Sequence, residues 1–139
     1  MGLDLEIKLE IVSENDIRFL YDLLEKRNPD VNISHKQMPT LEEHKKFVLS
    51  KPYSNWYIIK KNTESIGAIY LSKNDEIGIS ILDNFEFDKI AKRSFEILME
   101  LNPRKRYLAN VSPKNKNSQK FLERNGFEGL EYVYEFKSD

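Results

Sequence analysis

No cysteine occurs in this 139-residue chain, which excludes thiolate zinc sites, cysteine nucleophiles and disulfide scaffolds. Histidine is nearly as scarce, and two of them argue against a histidine-only metal site. Nowhere is there a run of about 18 apolar residues, the length a membrane-spanning helix needs. The opening Met-Gly-Leu-Asp-Leu-Glu-Ile-Lys alternates charge with apolar side chains, where a signal peptide needs an unbroken apolar stretch. The expectation is a cytoplasmic protein with no membrane partner. What is present, 40% hydrophobic and 12% aromatic residues, suits one self-supporting core. A chain of this size buries about two-thirds of its unfolded surface, so residues 1–139 are read as a single domain.

A net charge of -1 hides an asymmetry. Asp4, Glu6, Glu10, Glu14, Asp16, Asp22 and Glu25 face only Lys8 and Arg18 in the first 25 residues. Between Arg104 and Arg124 the balance reverses: Arg104, Lys105, Arg106, Lys114, Lys116, Lys120 and Arg124 oppose Glu123 alone. Such a tract can hold a phosphorylated ligand or nucleic acid, or can be an ordinary solvated basic surface.

Leu5, Ile7, Leu9 and Ile11 alternate with charged residues, the period of a half-buried strand. Ser13 and Asp16 then form a capping-box pair before an apolar stripe of Ile17, Leu20, Tyr21 and Leu24, and Asn28-Pro29-Asp30 stops that helix. Val31 to Pro39 is irregular. Thr40 and Glu43 cap a second helix, which ends before Pro52. Trp56–Lys60, Ser65–Leu71 and Glu76–Leu82 read as an antiparallel meander. Phe87 to Leu101 keeps helical spacing up to Asn102-Pro103. Tyr107–Val111 reads as a strand, Lys116–Asn125 as a helix closed by Gly126, and Leu130–Phe136 as a last strand. The order is β-α-α-β-β-β-α-β-α-β, an α+β domain.

That order, together with Glu76-Ile77-Gly78-Ile79-Ser80-Ile81-Leu82 and the stretch Val111-Ser112-Pro113-Lys114-Asn115 to Ser118 and Gly126-Phe127, resembles the GNAT superfamily of acetyl-CoA-dependent N-acetyltransferases. The resemblance implies a mixed, mostly antiparallel sheet with helices on both faces. It also implies a splay between the fourth and fifth strands, filled by the pantetheine arm of acetyl-CoA. Main-chain groups at Ile79, Ser80 and Ile81 would pair with the pantetheine amides, as an added strand would. The diphosphate would lie on the start of the long helix, where free N–H groups and the helix dipole favour an anion. Lys89, Ala91 and Lys92 are the donor-side residues there, with Asn115 and Ser118 near the thiol end. Lys114, Lys116 and Lys120 would fringe the wedge.

Two departures from the family pattern carry expectations of their own. The phosphate loop is replaced by Glu86-Phe87-Asp88-Lys89-Ile90-Ala91, and Asp83 with Glu86 forms a plausible capping box that puts carboxylates where the diphosphate goes. Each nearby carboxylate costs on the order of 1 kcal/mol in solvent, so donor affinity should fall. Leu122 occupies the position at which many members carry an acid tyrosine, leaving the thiolate without that proton donor. Glu76, His35 and Tyr132 are the candidate catalytic residues: a strand-end base, a loop histidine that titrates near neutrality, and a tyrosine on the last strand. Each also has an ordinary reading as a solvated, loop or sheet-face residue.

The expected activity is acetyl transfer from acetyl-CoA to an amino group of a small molecule, peptide or protein by direct attack. The alternative is a domain of the same shape that has lost efficient acetyl-CoA binding and serves as a non-catalytic partner module. A nucleic-acid-binding role through the basic tract is disfavoured by the acidic N-terminal third and a pI near 6.2. Expected partners are acetyl-CoA, an amine-bearing acceptor and, as an open option, a second copy of the chain.

Overall fold

A computed structural model of the protein describes residues 6–26 and 38–138. In chain order the elements are β1 (Ile7–Ile11), α1 (Ile17–Glu25), α2 (Leu41–Leu49), β2 (Asn55–Lys61), β3 (Glu64–Leu71), β4 (Ile77–Ile81), α3 (Phe87–Leu101) and α4 (Lys116–Arg124), with a short 3-10 turn at Glu14–Asp16 before α1. The four strands form one antiparallel sheet in the order β1-β2-β3-β4.

The first two of the three capping boxes read from the sequence are made. The Ser13 N–H donates to Asp16 Oδ2 at 2.8 Å, and the Thr40 N–H donates to Glu43 Oε1 at 2.8 Å while Glu43 N–H returns to Thr40 Oγ1 at 3.1 Å. The Ser13 box caps the 3-10 turn that leads into α1, and the Thr40 box caps α2 itself. Leu20, Leu23 and Val48 pack with Ile58 and Ala68 on one face. On the other, Ile90, Ala91, Phe95 and Leu98 of α3 and Phe121 of α4 pack against Tyr57, Ile59, Ile69, Leu71 and Ile77. Ile58, Ile59, Ile66, Ile69 and Leu71 are essentially without exposed surface, and each such burial contributes at most about 2 kcal/mol.

A register shift between Ile59 and Lys60 leaves Ile66 as an extra residue in β3, because Gly67 opposes Ile59 and Ser65 opposes Lys60. The bulge re-aims Ile66 into the same cluster as Ile69 and Leu71, which strict alternation would forbid.

Two expected strands are not formed as strands. Tyr107–Val111 makes a single parallel rung, Glu76 against Leu108. Leu130–Phe136 belongs to no strand among the described residues, and no main-chain hydrogen bond there ties it to the sheet. The alternation of the latter segment is real in the sequence, but its partner edge is not engaged. Gly126, at φ 91, ends α4 as expected: the Gly126 N–H donates to the Glu123 C=O and the Phe127 N–H to the Leu122 C=O, the paired bonds of a Schellman stop.

Candidate active site

The site begins at the single parallel rung. Asp75, held at φ 63 just before β4, accepts the Leu108 N–H on its carbonyl at 2.9 Å, and the Ile77 N–H donates to the Leu108 C=O at 2.7 Å. Side chains reinforce the junction: Arg104 Nε meets Asp75 Oδ1 at 3.1 Å, and Asn110 Nδ2 donates to Glu76 Oε2 at 3.0 Å. Beyond this rung β4 and the 107–111 segment make no further ladder bonds.

The strand's two-residue period decides which groups face the resulting gap. Since the Ile77 N–H points toward Leu108, the main-chain groups of Ile79 and Ile81 point toward the same edge. Leu82 N–H donates to Ile66 C=O, so the even-numbered residues of β4 turn toward β3 instead. The open edge therefore belongs to Ile79 and Ile81, and the Ser80 main chain is directed away from it; Ser80 contributes only a wall of the cleft.

A cleft of about 1110 Å³ occupies the gap. One wall is Glu76 to Asn84, the other is Ala109 to Val111, and Asn115, Ser118, Phe121 and Leu122 of the α4 region close the side. Asn115 caps α4, its Oδ1 accepting the Ser118 N–H at 3.1 Å, so the functional and the capping readings of this pair coincide in one place. At the far end the cleft meets Asp83, Phe87 and Asp88 at the start of α3, with Lys120 and Arg124 opposite.

The expected Asp83–Glu86 capping box is not made. Helix α3 begins at Phe87 with Glu86 as its N-cap, and no side chain accepts from its first turn. Glu86 instead pairs with Lys89 at 3.4 Å on an exposed surface, and neither residue lines the cleft. The carboxylates at the mouth are Asp83 and Asp88, and Asp88 is bridged to Arg124 of α4. The repulsion expected from Glu86 is thus displaced and partly cancelled, while the first-turn N–H groups have no side-chain cap.

Other candidates fall elsewhere. Ala91 is fully buried in the core and Lys92 is exposed outside the cleft lining, because the helical period turns one inward and the other to solvent. Of the three lysines expected at the fringe, Lys120 lines the cleft; Lys114 and Lys116 do not. Tyr132 is 88% exposed and outside the cleft, since its segment is not in the sheet. His35 lies outside the described residues. Glu76 stands at the apex of the gap.

A second cavity of about 220 Å³ lies on the α1–α2 face, lined by Glu43, His44, Phe47, Tyr53, Trp56 and Tyr70 among others. It shares Tyr70, Gly78, Ile79 and Ser80 with the larger cleft, so the two spaces meet across β4. Gly78 accommodates the Tyr70 ring, which lies over it: it opposes Tyr70 in the β3–β4 register, and a Cβ there would overlap that ring. Tyr70 in turn stacks on Tyr53, ring centroids 3.8 Å apart and nearly parallel. Sequence reasoning missed Tyr70 and Asn110. An aromatic residue opposite a glycine in neighbouring strands of a meander is the signal that could have found the first.

Residues 7–128 match the acetyltransferase (GNAT) domain family. The chain belongs to that family. It is therefore an acetyltransferase by family. Solved structures share its fold. A RimL ribosomal L7/L12 alpha-N-protein acetyltransferase in complex with coenzyme A is 21% identical, with a TM-score of 0.71 over 88% of this chain and 81% of that one. A domain from Methanocaldococcus jannaschii DSM 2661 is 22% identical, with a TM-score of 0.79 over 95% and 94%. A mutant form of the spermidine/spermine N-acetyltransferase SpeG from Vibrio cholerae is 14% identical, with a TM-score of 0.70 over 88% and 80%. No curated protein matches the sequence at a significant level. Among the described residues no helix is long and apolar enough to cross a membrane.

Proposed function

We propose that this acetyltransferase holds the pantetheine arm along the Ile79–Ile81 edge of β4 and passes the acetyl group to a primary amine that enters from the aromatic cavity. The observation that carries this reading is the single rung between Ile77 and Leu108, after which the main-chain groups of Ile79 and Ile81 open onto the cleft. Unpaired strand groups are costly to leave dry, and an amide-bearing arm satisfies them. The diphosphate then reaches the uncapped start of α3, between Lys120 and Arg124.

In the transfer the neutral amine nitrogen attacks the thioester carbonyl, a C–N bond forms, the C–S bond breaks, and the proton the nitrogen sheds on becoming an amide is taken up by the departing thiolate through solvent. The acceptor arrives as an ammonium and must first lose a proton. Glu76, lining the same cleft and oriented by Asn110, is the base this reading assigns, acting through water. The rings of Phe47, Tyr53, Trp56 and Tyr70 suit an ammonium's approach through their π faces. A small amine, a peptide and a protein N-terminus all carry the required group, and RimL and SpeG, as named, act on a protein and on polyamines respectively.

Acetylation of a panel of polyamines and peptide N-termini, followed by free thiol release from acetyl-CoA, tests the reading. Acceptor-dependent thiol release is the expected outcome, and its absence across the panel at saturating donor contradicts it. In the same assay Glu76→Gln should lower kcat on the order of 100-fold with little change in donor affinity; an unchanged kcat removes Glu76 as the base. Asp88→Asn deletes an anion beside the phosphate end and releases Arg124. It should tighten coenzyme A binding about 5-fold, the effect of roughly 1 kcal/mol, when titrated by calorimetry. Weaker binding would show that the Asp88–Arg124 bridge shapes the site more than its charge opposes the ligand.

A further inference from the structure

A primary amine alone does not account for the cavity on the α1–α2 face. Leu20, Leu23 and Leu24 of α1 line it, and the first two are almost wholly buried. Its aromatic lining is held by ring-on-ring contact: Trp56 stands edge-on to Tyr53 at 4.8 Å and to Phe47 at 6.0 Å, while Tyr53 stacks on Tyr70. Rings that fix one another need little further ordering when a ligand arrives. The volume of about 220 Å³ lies below the roughly 300 Å³ at which sites for whole ligands begin. The space takes one group the size of a side chain.

Charge is as restrictive as size. Among the described residues that line the cavity, Glu43 is the single carboxylate, and its Oε1 accepts the Thr40 N–H in the α2 cap at 2.8 Å. The adjoining cleft adds little for a second cation, since Glu76 serves there as the proposed base, Asp83 lies at the phosphate end and Asp88 is bridged to Arg124. Lys26, at the end of α1, lines that cleft too. One ammonium can be met by Glu43 and the ring faces. A further ammonium on the same molecule would lie desolvated among leucines and rings, with a lysine nearby to repel it.

We infer that the acceptor is a monoamine with an apolar body: one primary amine joined through a short link to a single aromatic or branched aliphatic group. That group fills the α1–α2 cavity while the nitrogen meets the thioester in the cleft. The inference rests on the acceptor route proposed above, and it excludes polyamines as good substrates. A free amine of this kind and a peptide whose first residue is apolar share the chemistry.

Trp56 is the only tryptophan of the chain, so its emission reports occupancy of the cavity without any turnover. Phenethylamine, and phenethyl alcohol as the same body without the amine, should each change that emission saturably with a midpoint on the order of 1 mM. Spermidine at the same concentrations should leave it unchanged. No saturable change with either phenyl compound overturns the inference. In the transfer assay, kcat/KM for phenethylamine or for a peptide beginning with phenylalanine should exceed that for spermidine, and that for ethylamine or a peptide beginning with glycine, on the order of 100-fold. Whichever of the two leads identifies the source, and parity with spermidine overturns the inference. Leu24→Glu sets a second carboxylate on a half-buried part of the wall and should narrow the preference over spermidine about 10-fold; an unchanged ratio in a variant that melts with the parent chain overturns the charge argument and the inference with it. If no amine is acetylated while the Trp56 signal saturates, the transfer proposed above fails and the ligand class of the cavity stands.

Discussion

Ala109→Trp should abolish measurable coenzyme A binding while leaving the fold intact. Ala109 lies on the wall of the cleft that faces the open edge of β4 and is only half buried. An indole there fills the space the pantetheine arm needs without entering the close-packed core, where the same change would cost several kcal/mol. The loss should exceed roughly 100-fold in dissociation constant, since arm and wall cannot share the volume. Calorimetric titration measures it, and a thermal melt on the same sample should move by no more than about 4 °C, equivalent to roughly 1 kcal/mol. Retained binding would mean that the donor lies elsewhere, and the wedge would lose its role.

The second large effect concerns the backbone that sets the wedge. At Gly67 a Cβ would overlap the Ser80 carbonyl oxygen and crowd the Ile81 backbone. These are main-chain atoms of the neighbouring strand and cannot rotate aside, unlike the Tyr70 ring over Gly78. Gly67→Ala must therefore push β4 away from β3, at a cost of about 3 kcal/mol, or a fall in melting temperature on the order of 10 °C. Donor affinity should fall too, because the displaced strand moves toward the 107–111 segment. A melting temperature within about 2 °C of the parent chain would show that the bulge at Ile66 absorbs the methyl group.

Much of this architecture was legible in the sequence. The two capping boxes, the meander, the 15-residue span of α3 and the glycine stop of α4 follow from local rules whose partners sit within a few residues of one another. The family resemblance pointed to the Ile79–Ile81 stretch, and the Ile77–Leu108 bond was needed to turn Ser80 away from the open edge. What failed did so for separate reasons. Glu86 as a carboxylate at the phosphate end assumed a helix start that lies instead at Phe87, with Lys89 close enough to take the charge. The Asp88–Arg124 bridge joins residues 36 positions apart and has no local signature. Tyr132 was placed in the sheet on alternation alone, and alternation specifies a face, never a partner. Tyr70 was missed because its importance comes from a gap in the opposite strand rather than from its own surroundings.

If, as proposed, the grip on the donor arm is made by peptide groups at Ile79 and Ile81, natural variation in side chains along β4 is nearly silent toward it. Descendants of this enzyme can rewrite that strand's composition, provided the replacements still extend and still leave Gly78 bare. On the same proposal, selectivity for the acceptor has no such insulation, since it would rest on the identities of individual rings. Lineages sharing this scaffold should therefore diverge in what they modify long before they diverge in what they use to modify it.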